Sequence, residues 1–220
     1  MNVCVVIPSY NVAQTIGGIV KEITALSFDA VVVDDGSSDS TAGEAAQFGA
    51  VVLRNSANLG KGASLKTGFA YCLEKGYEAV ITMDGDGQHS PAEIKNFMSA
   101  LALHPQADMI IGNRMRYPLD MPYIRRLTNK AMSWLLSYLC KQAIPDTQNG
   151  FRLIKSSILK DLKLKSDRFE IESEMIIAGA RKGAKIISIP VCSLYKNTSS
   201  QINPILDTAR FIKFILPYLR

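Results

Sequence analysis

Cysteine and histidine are scarce in this 220-residue sequence, which contains four cysteines and two histidines. The cysteines are far apart and form no Cys-x-x-Cys or Cys/His cluster, so no zinc-binding motif is present. Because each cysteine lies among apolar residues, we expect all of them to be buried free thiols in a reducing compartment. The four positions are Cys4, Cys72, Cys140 and Cys192.

A long hydrophobic segment is also missing. No stretch reaches the roughly 18 uninterrupted apolar residues that a membrane-spanning helix needs. Residues 1–8, MNVCVVIP, carry no basic group ahead of their short apolar run, which is not the pattern of a signal peptide. We therefore expect a cytoplasmic protein, either free in the cytosol or peripheral on the inner face of the membrane.

Two nucleotide-binding signatures are absent as well. The sequence contains no Gly-x-x-x-x-Gly-Lys-Ser/Thr motif, and no Gly-x-Gly-x-x-Gly motif follows a predicted strand. Both absences argue against nucleotide hydrolases and dinucleotide-dependent oxidoreductases. A net charge of +5 and a pI near 9.0 suit a phosphorylated small molecule, an anionic lipid surface or a nucleic acid, or only reflect solubility.

What the sequence does contain is a regular alternation of short β-branched segments with longer segments of helical periodicity. This pattern predicts an α/β fold, with a mostly parallel central sheet covered by helices on both faces. No linker rich in Gly, Ser or Pro divides the chain, so we expect a single domain over residues 1–220. The predicted strands cover residues 3–7, 30–33, 50–53, 79–83, 109–111 and 185–190. The predicted helices cover residues 13–26, 41–48, 62–74, 91–103, 124–140, 171–181 and 204–219.

Polar clusters follow three of the predicted strands, at residues 8–11 (PSYN), 34–37 (DDGS) and 84–89 (DGDGQH). Because ligands bind beyond the carboxyl ends of parallel strands, we expect these clusters to share one site. In the third cluster Asp84 and Asp86 alternate with glycines, and carboxylate oxygens are the ligands that Mg²⁺ and Mn²⁺ prefer. A tight turn without a ligand is the alternative, since Asp-Gly is common in turns.

Two further segments have comparable alternatives. The carboxylates of Asp34 and Asp35 can accept hydrogen bonds from a base and a ribose hydroxyl, or belong to a capping box before the helix at residue 41. The segment NLGKG at residues 58–62 opens a helix, where glycines and Lys61 can hold phosphate, or form only a structural turn.

Taken in order, these motifs resemble glycosyltransferase family 2, and within it the branch of dolichyl-phosphate mannose synthase and other polyprenyl-phosphate glycosyltransferases. The motifs are PSYN (8–11), VVDDGSSDST (32–41), NLGKG (58–62), DGDGQH (84–89), GNR (112–114) and DTQNGFR (146–152). The resemblance implies a Rossmann-like GT-A fold and inverting transfer of a hexose from a GDP- or UDP-sugar with Mg²⁺ or Mn²⁺. It also implies a nucleotide-sugar-binding half at residues 1–115 and an acceptor-binding half at residues 116–220.

The resemblance implies roles for individual residues. The nucleotide sugar would be bound by Pro8, Tyr10, Asn11, Asp34, Asp35, Lys61 and Asp84. The metal would be held by Asp84, Asp86 and Gln88. The implied catalytic residues are Asp86, Arg114, Arg152 and Glu174.

The implied roles of the two arginines and of Glu174 have simpler alternatives. Guanidinium groups suit phosphate oxygens of donor and acceptor, whereas most arginines are solvated at the surface. Glu172 or Glu174 could act as a base or orient the acceptor, whereas acids in a first helical turn also complement the helix dipole. Whether any residue acts as a catalytic base is left open, because a phosphate acceptor is already an anion.

Polyprenyl phosphate of the dolichyl or undecaprenyl type is the implied acceptor. The alternatives are a glycan or glycolipid hydroxyl, and a catalytically silent module that only binds nucleotide sugar. Nucleic acid is not an expected partner, since the acidic pair would repel a phosphate backbone. Residues 125–139 and 205–220 mix apolar and basic side chains, which is typical of helices in a membrane interface, although packing on the core is the alternative.

Overall fold

The protein is built around a sheet that joins both halves of the chain. In the computed structural model, which describes residues 1–116, 121–192 and 204–218, seven strands form one sheet in the order β3-β2-β1-β4-β6-β5-β7. The strands are β1 (Val3–Ser9), β2 (Asp29–Asp34), β3 (Val51–Arg54), β4 (Ala79–Thr82), β5 (Met109–Asn113), β6 (Arg152–Lys155) and β7 (Ile186–Pro190). All neighbouring pairs are parallel except those that β6 makes with β4 and β5. The predicted mostly parallel α/β sheet is confirmed.

Strand β6 is not predicted from the sequence. It has four residues and begins with a charged residue, Arg152, so it lacks the apolar run by which the other strands are recognised. The strand pairs antiparallel with β4 and β5, placing Arg152 opposite Thr82 and Ile111. Because β6 runs in the reverse direction, the polar segment 146–151 that precedes it lies at the carboxyl ends of β4 and β5. The DTQNGFR motif therefore reaches the same edge of the sheet as the acidic cluster after β4.

The helices follow the predicted positions closely. The described residues contain α1 (Ala13–Ala25), α2 (Thr41–Gln47), α3 (Lys61–Glu74), α4 (Ile94–Leu103), α5 (Tyr123–Cys140), α6 (Ser156–Leu159), α7 (Ile171–Arg181) and α8 (Pro204–Ile215). A 3-10 turn over Pro91–Glu93 replaces the first turn of the helix predicted from residue 91. The short α6 is not predicted. The terminal helix ends at Ile215 and continues as a 3-10 turn over Leu216–Tyr218, while residue 219 lies outside the described residues.

Hydrophobic side chains pack on both faces of the sheet. In β1 the side chains alternate, with Val5 on one face and Val6 on the other, as a strand buried on both sides requires. Helices α1, α2 and α4 cover the first face, and α3, α5, α7 and α8 cover the second. The strand ends are thereby left as the place where polar loops can gather. No helix in the described ranges is both long enough and apolar enough to cross a bilayer.

The expectation that all four cysteines are buried is wrong at one position. Cys4, Cys72 and Cys140 are buried free thiols, but Cys192 is exposed. Cys192 lies two residues beyond the end of β7, where the chain leaves the sheet, and its backbone N–H donates to a carboxylate oxygen of Glu93 at 2.8 Å. Its apolar neighbours in the sequence therefore do not place it in the core.

Candidate active site

The polar clusters after β1, β2 and β4 meet at the carboxyl edge of the sheet, as predicted. The backbone N–H of Asn11 donates to the hydroxyl of Ser37 at 2.9 Å, which joins the first cluster to the second. Gly85 lies against Ser9, because a Cβ atom at residue 85 would come within 2.9 Å of the Ser9 hydroxyl oxygen. The third cluster is therefore packed directly on the first.

Asp34 and Asp35 hold these loops in place. Asp35 accepts hydrogen bonds from the side chain of Asn55 at 2.7 Å and from the backbone N–H groups of Leu59 and Gly60 at 3.0 and 2.8 Å. Asp34 accepts the backbone N–H of Ser37, and its second oxygen lies 3.1 Å from Arg54 Nε in an ion pair without hydrogen-bond geometry. Both carboxylates are buried. The structure thus gives them a loop-building role, and their contact with a nucleoside remains a prediction.

The PSYN segment forms the outer rim of the edge. Pro8 and Tyr10 are half-buried, and Asn11 is exposed with a left-handed backbone, φ +52°. The Asn11 side-chain oxygen accepts the backbone N–H of Ser38 at 2.9 Å. Asparagine tolerates this backbone region better than most residues, which accounts for its place at the turn.

The NLGKG loop is pressed against the segment that precedes α7. A Cβ atom on Gly60 would lie 2.5 Å from the carbonyl oxygen of Asp167, and one on Gly62 would lie 2.5 Å from that of Ser166. Gly60 also has φ +101°, which side-chain-bearing residues rarely adopt. The glycines therefore allow a close backbone approach that sets Lys61, the first residue of α3, beside Asp84.

Lys61 joins three elements through two ion pairs. Its ammonium lies 2.5 Å from an oxygen of Asp84 and 2.6 Å from an oxygen of Glu172 in the first turn of α7. Burial by itself would lower the pKa of Lys61, but the two carboxylates outweigh burial and raise it. Burial would likewise raise the pKa of Asp84, yet the charge of Lys61 holds it well below its usual range. Both groups are therefore charged throughout the neutral range.

The negative charge of Asp86 is neutralised less by nearby cations than that of Asp84. Its carboxylate is half-buried and accepts the backbone N–H of Gln88 at 2.9 Å. Burial, and next the negative charge of Asp84, raise the pKa of Asp86. The turn thus concentrates negative charge at the end of β4, which is the condition for holding a cation.

The donor set fits Mg²⁺ or Mn²⁺ held by few protein ligands. Hard cations bind carboxylate oxygens, and Mg²⁺ commonly keeps only one or two of them beside water and phosphate oxygens. No group of three or more His, Cys, Asp or Glu side chains positioned for a metal occurs in residues 1–116, 121–192 and 204–218. Asp84 and Asp86 therefore suit a cation that shares its coordination with a diphosphate, and do not form a closed cage.

His89 is a neighbour of Asp84 to which the sequence patterns assign no role. The imidazole is buried, its Nε2 lies 3.7 Å from Asp84, and its ring packs against Phe151 with centroids 5.2 Å apart. Its Nδ1 is buried without a hydrogen-bond partner in the described part of the chain. The signal for this position was its place in the DGDGQH motif.

The alternative that Arg114 and Arg152 are surface residues is wrong. Arg114 makes a bidentate pair with the fully buried carboxylate of Asp146, at 2.8 and 3.0 Å. Arg152 is fully buried and donates to the carbonyl oxygens of Asn149, Glu172 and Thr147 at 2.7, 2.5 and 2.8 Å. Both guanidinium groups hold the 146–151 segment, and their contact with phosphate remains a prediction.

The two glutamates at the start of α7 have different surroundings. The carboxylate of Glu172 accepts a hydrogen bond from the ammonium of Lys61, which also contacts Asp84. The carboxylate of Glu174 accepts the backbone N–H groups of Lys165 and Ser166 at 2.9 and 2.8 Å. Glu174 therefore orders the segment against which the NLGKG loop packs, and its catalytic role remains a prediction.

The fold is that of the GT-A glycosyltransferases. Among solved structures, the chain is similar to glucosyl-3-phosphoglycerate synthase from Mycobacterium tuberculosis in complex with Mn²⁺, uridine diphosphate and phosphoglyceric acid. The TM-score is 0.75 with 17% sequence identity, over 99% of this chain and 77% of that chain. At this identity the likeness shows the fold.

The chain belongs to glycosyltransferase family 2, because the family model "Glycosyl transferase family 2" matches residues 4–163. It is 29% identical to the undecaprenyl-phosphate mannosyltransferase of Micrococcus luteus, over 87% of this chain and 83% of the relative. It is 26% identical to the UDP-N-acetylglucosamine–dolichyl-phosphate N-acetylglucosaminyltransferase of Methanococcus voltae, over 88% of this chain and 86% of the relative. The family resemblance and its polyprenyl-phosphate branch are thereby confirmed.

Proposed function

We propose that this glycosyltransferase moves a hexose from a GDP- or UDP-sugar to a polyprenyl phosphate, with inversion at the sugar. The observation that carries the donor half is the Asp84–Asp86 turn at the carboxyl edge of the sheet, next to the ammonium of Lys61. The acceptor half is supported by the two relatives above, whose names specify undecaprenyl phosphate and dolichyl phosphate. In this proposal residues 1–115 bind the nucleotide sugar and residues 116–220 the acceptor.

A divalent cation is part of the proposal. Mg²⁺ or Mn²⁺ would be held by Asp84 and Asp86, with the amide oxygen of Gln88 as a third ligand. When bound, such a cation neutralises a diphosphate and stabilises it as a leaving group. The Mycobacterium tuberculosis enzyme of the same fold contains Mn²⁺ together with uridine diphosphate, which supports this proposal.

The remaining site residues act by binding and positioning. Pro8, Tyr10 and Asn11 line the rim where a nucleoside would lie, over loops that Asp34 and Asp35 hold. Arg114 and Arg152 shape the 146–151 segment, from which acceptor phosphate would be bound. Glu174 orders residues 165–166. It would act as a base if the acceptor were a hydroxyl, whereas an acceptor phosphate is already an anion and makes no such demand.

A donor panel tests this function. The purified chain is incubated with labelled GDP- and UDP-hexoses, Mg²⁺ or Mn²⁺, and polyprenyl phosphate, with the unphosphorylated polyprenol as the matched control. We expect labelled lipid with one donor, only when both metal and lipid phosphate are present. Release of nucleotide without labelled lipid would move the acceptor to a glycan or glycolipid hydroxyl. Absence of nucleotide release with every donor would favour the silent binding module.

A membrane-facing surface on α5 accords with a lipid acceptor. Five large side chains, which we call the α5 stripe, are between 57% and 78% exposed: Tyr123, Ile124, Leu127, Trp134 and Tyr138. Their spacing places them on one face of the helix, and Leu136 and Cys140 on the opposite face are buried. Exposed apolar side chains concentrated in this way mark an interaction surface.

The charge on α5 favours an anionic lipid surface as the partner. The helix contains no acidic residue, and Arg126 and Lys130 are exposed beside the stripe, with Lys141 directly after it. Tryptophan and tyrosine are enriched at the level of lipid headgroups. We propose that the α5 stripe lies in the headgroup region of an anionic bilayer, so that the enzyme is peripheral.

Replacement of Leu127 and Trp134 by serine is expected to reduce binding to vesicles. Each side chain is worth about 1.5–3 kcal/mol when fully buried, so partial insertion of the pair predicts a loss of at least about tenfold in partition coefficient. Flotation with vesicles containing phosphatidylglycerol measures it, and added NaCl is expected to weaken wild-type binding. The matched control is Leu103→Ser, since Leu103 is 77% exposed on α4, across the sheet. Equal flotation of the double variant and wild type would contradict the proposed surface.

A further inference from the structure

The ammonium of Lys61 lies where a cation is needed by the proposed reaction. It is 2.5 Å from an Asp84 oxygen, and Asp84 is one of the two carboxylates at the end of β4. The same ammonium is 2.6 Å from Glu172, on a different element. Lys61 thus has two anionic partners, of which one belongs to the proposed metal pair and the other does not.

We infer that Lys61 is an exchangeable counter-ion, which occupies the cation position on Asp84 and is retained by Glu172 when a divalent cation takes its place. This inference rests on the proposed function. A metal ion and an ammonium carry like charges and would repel strongly at one carboxylate oxygen, so binding of one displaces the other. The arrangement therefore makes metal binding and release of Lys61 from Asp84 a single coupled event.

Glu172 lowers the cost of that exchange. A buried ammonium without a partner is strongly unfavourable, whereas Lys61 leaving Asp84 still has a carboxylate at 2.6 Å. Its ammonium also lies 5.9 Å from the centroid of the Phe169 ring, a second favourable contact for a cation. Lys61 therefore stays neutralised whether or not Asp84 is engaged.

Glu172 is itself fixed, so the lysine is the part that moves. The backbone carbonyl of Glu172 accepts from Arg152, and a side-chain oxygen lies 3.9 Å from the same guanidinium. Gly150 leaves the space open, because a Cβ atom there would lie 2.8 Å from an Asp84 oxygen and 2.9 Å from the Lys61 ammonium. Arg152 and Glu172 are accordingly positioning residues, which act through Lys61.

Direct binding of Mn²⁺ without nucleotide tests the exchange, with free Mn²⁺ measured by electron paramagnetic resonance. Removing the competing charge in Lys61→Met is expected to tighten Mn²⁺ binding by at least about tenfold. Lys61→Gln is expected to do the same and serves if the methionine variant does not fold. Glu172→Gln is expected to weaken binding by about tenfold, because the displaced lysine then loses its carboxylate partner. The matched control is Lys66→Met. Lys66 lies on α3, as Lys61 does, and makes a 2.6 Å ion pair with Asp167.

The double variant separates an indirect role of Glu172 from a direct one. In the Lys61→Met background, Glu172→Gln is expected to change Mn²⁺ affinity by less than about twofold. An equal loss in both backgrounds, or unchanged or weaker Mn²⁺ binding in both single Lys61 variants, would overturn the inference while leaving the metal site intact. Failure of the wild type to bind Mn²⁺ even with UDP or GDP would instead overturn the proposed metal site, and the inference with it.

Discussion

Asp86→Asn is expected to slow hexose transfer by about a thousandfold while leaving the protein folded, which corresponds to about 4 kcal/mol of transition-state stabilisation. The reason is the loss of one of the two negative charges that would hold the cation at the diphosphate. The backbone N–H of Gln88 donates a hydrogen bond to Asp86 at 2.9 Å, and the side-chain oxygen of asparagine can still accept it. Asp86 is a sharper test than Asp84, because a change at Asp84 would also break the ion pair with Lys61.

The measurement is the initial rate of labelled lipid formation at saturating Mn²⁺, together with a thermal unfolding curve for each variant. The matched control is Asp161→Asn, a change of the same chemistry at an exposed aspartate outside the strand-end clusters. We expect Asp161→Asn to keep the wild-type rate. A transfer rate for Asp86→Asn within a few fold of wild type would show that the acidic pair is not the metal site.

Arg152→Met is expected to lower the free energy of unfolding by about 3–5 kcal/mol, the cost of breaking a buried charged network by removing one partner. Three carbonyl oxygens, those of Thr147, Asn149 and Glu172, would lose their donor in the interior. Arg152→Lys is expected to recover only part of the loss. The planar guanidinium of arginine reaches three acceptors at once, and the compact ammonium of lysine cannot.

Urea denaturation measures the change in unfolding free energy, with Arg126→Met on the exposed side of α5 as the control. We expect that control to lie within about 0.5 kcal/mol of wild type. The same experiment separates the two roles considered for Arg152. Unchanged stability of Arg152→Met with impaired use of the lipid phosphate would favour the phosphate contact implied by the family motif.

The strand-end clusters are the part of the site that local pattern predicted well. A short continuous run of apolar, mostly β-branched residues followed by acids and glycines can be recognised over a few positions, and parallel strands bring such ends to one edge of the sheet. The positions of the acidic turn after β4, the DDGS turn and the NLGKG loop were therefore predictable. Strand β6 was not, because its sheet partners and not its four residues make it a strand.

The sequence did not predict which groups the side chains of the motifs contact. The motifs named Arg114, Arg152, Asp35 and Glu174, but each is engaged in the structure with a buried carboxylate, backbone carbonyls or backbone N–H groups. A titratable side chain in a motif looks the same whether it contacts a ligand or holds the loop beside it. Only the positions of its neighbours distinguish the two.

The sequence by itself determined the alternation of strands and helices, the family, and the two acids at the end of β4. These properties depend on residues close together in the chain, whose spacing in the sequence largely sets their arrangement in space. Only the tertiary structure decided that Lys61 lies between Asp84 and Glu172, because that contact joins α3 to α7 across 111 positions of the sequence. An ion pair over such a separation follows from how the elements pack on the sheet, and no local pattern encodes it.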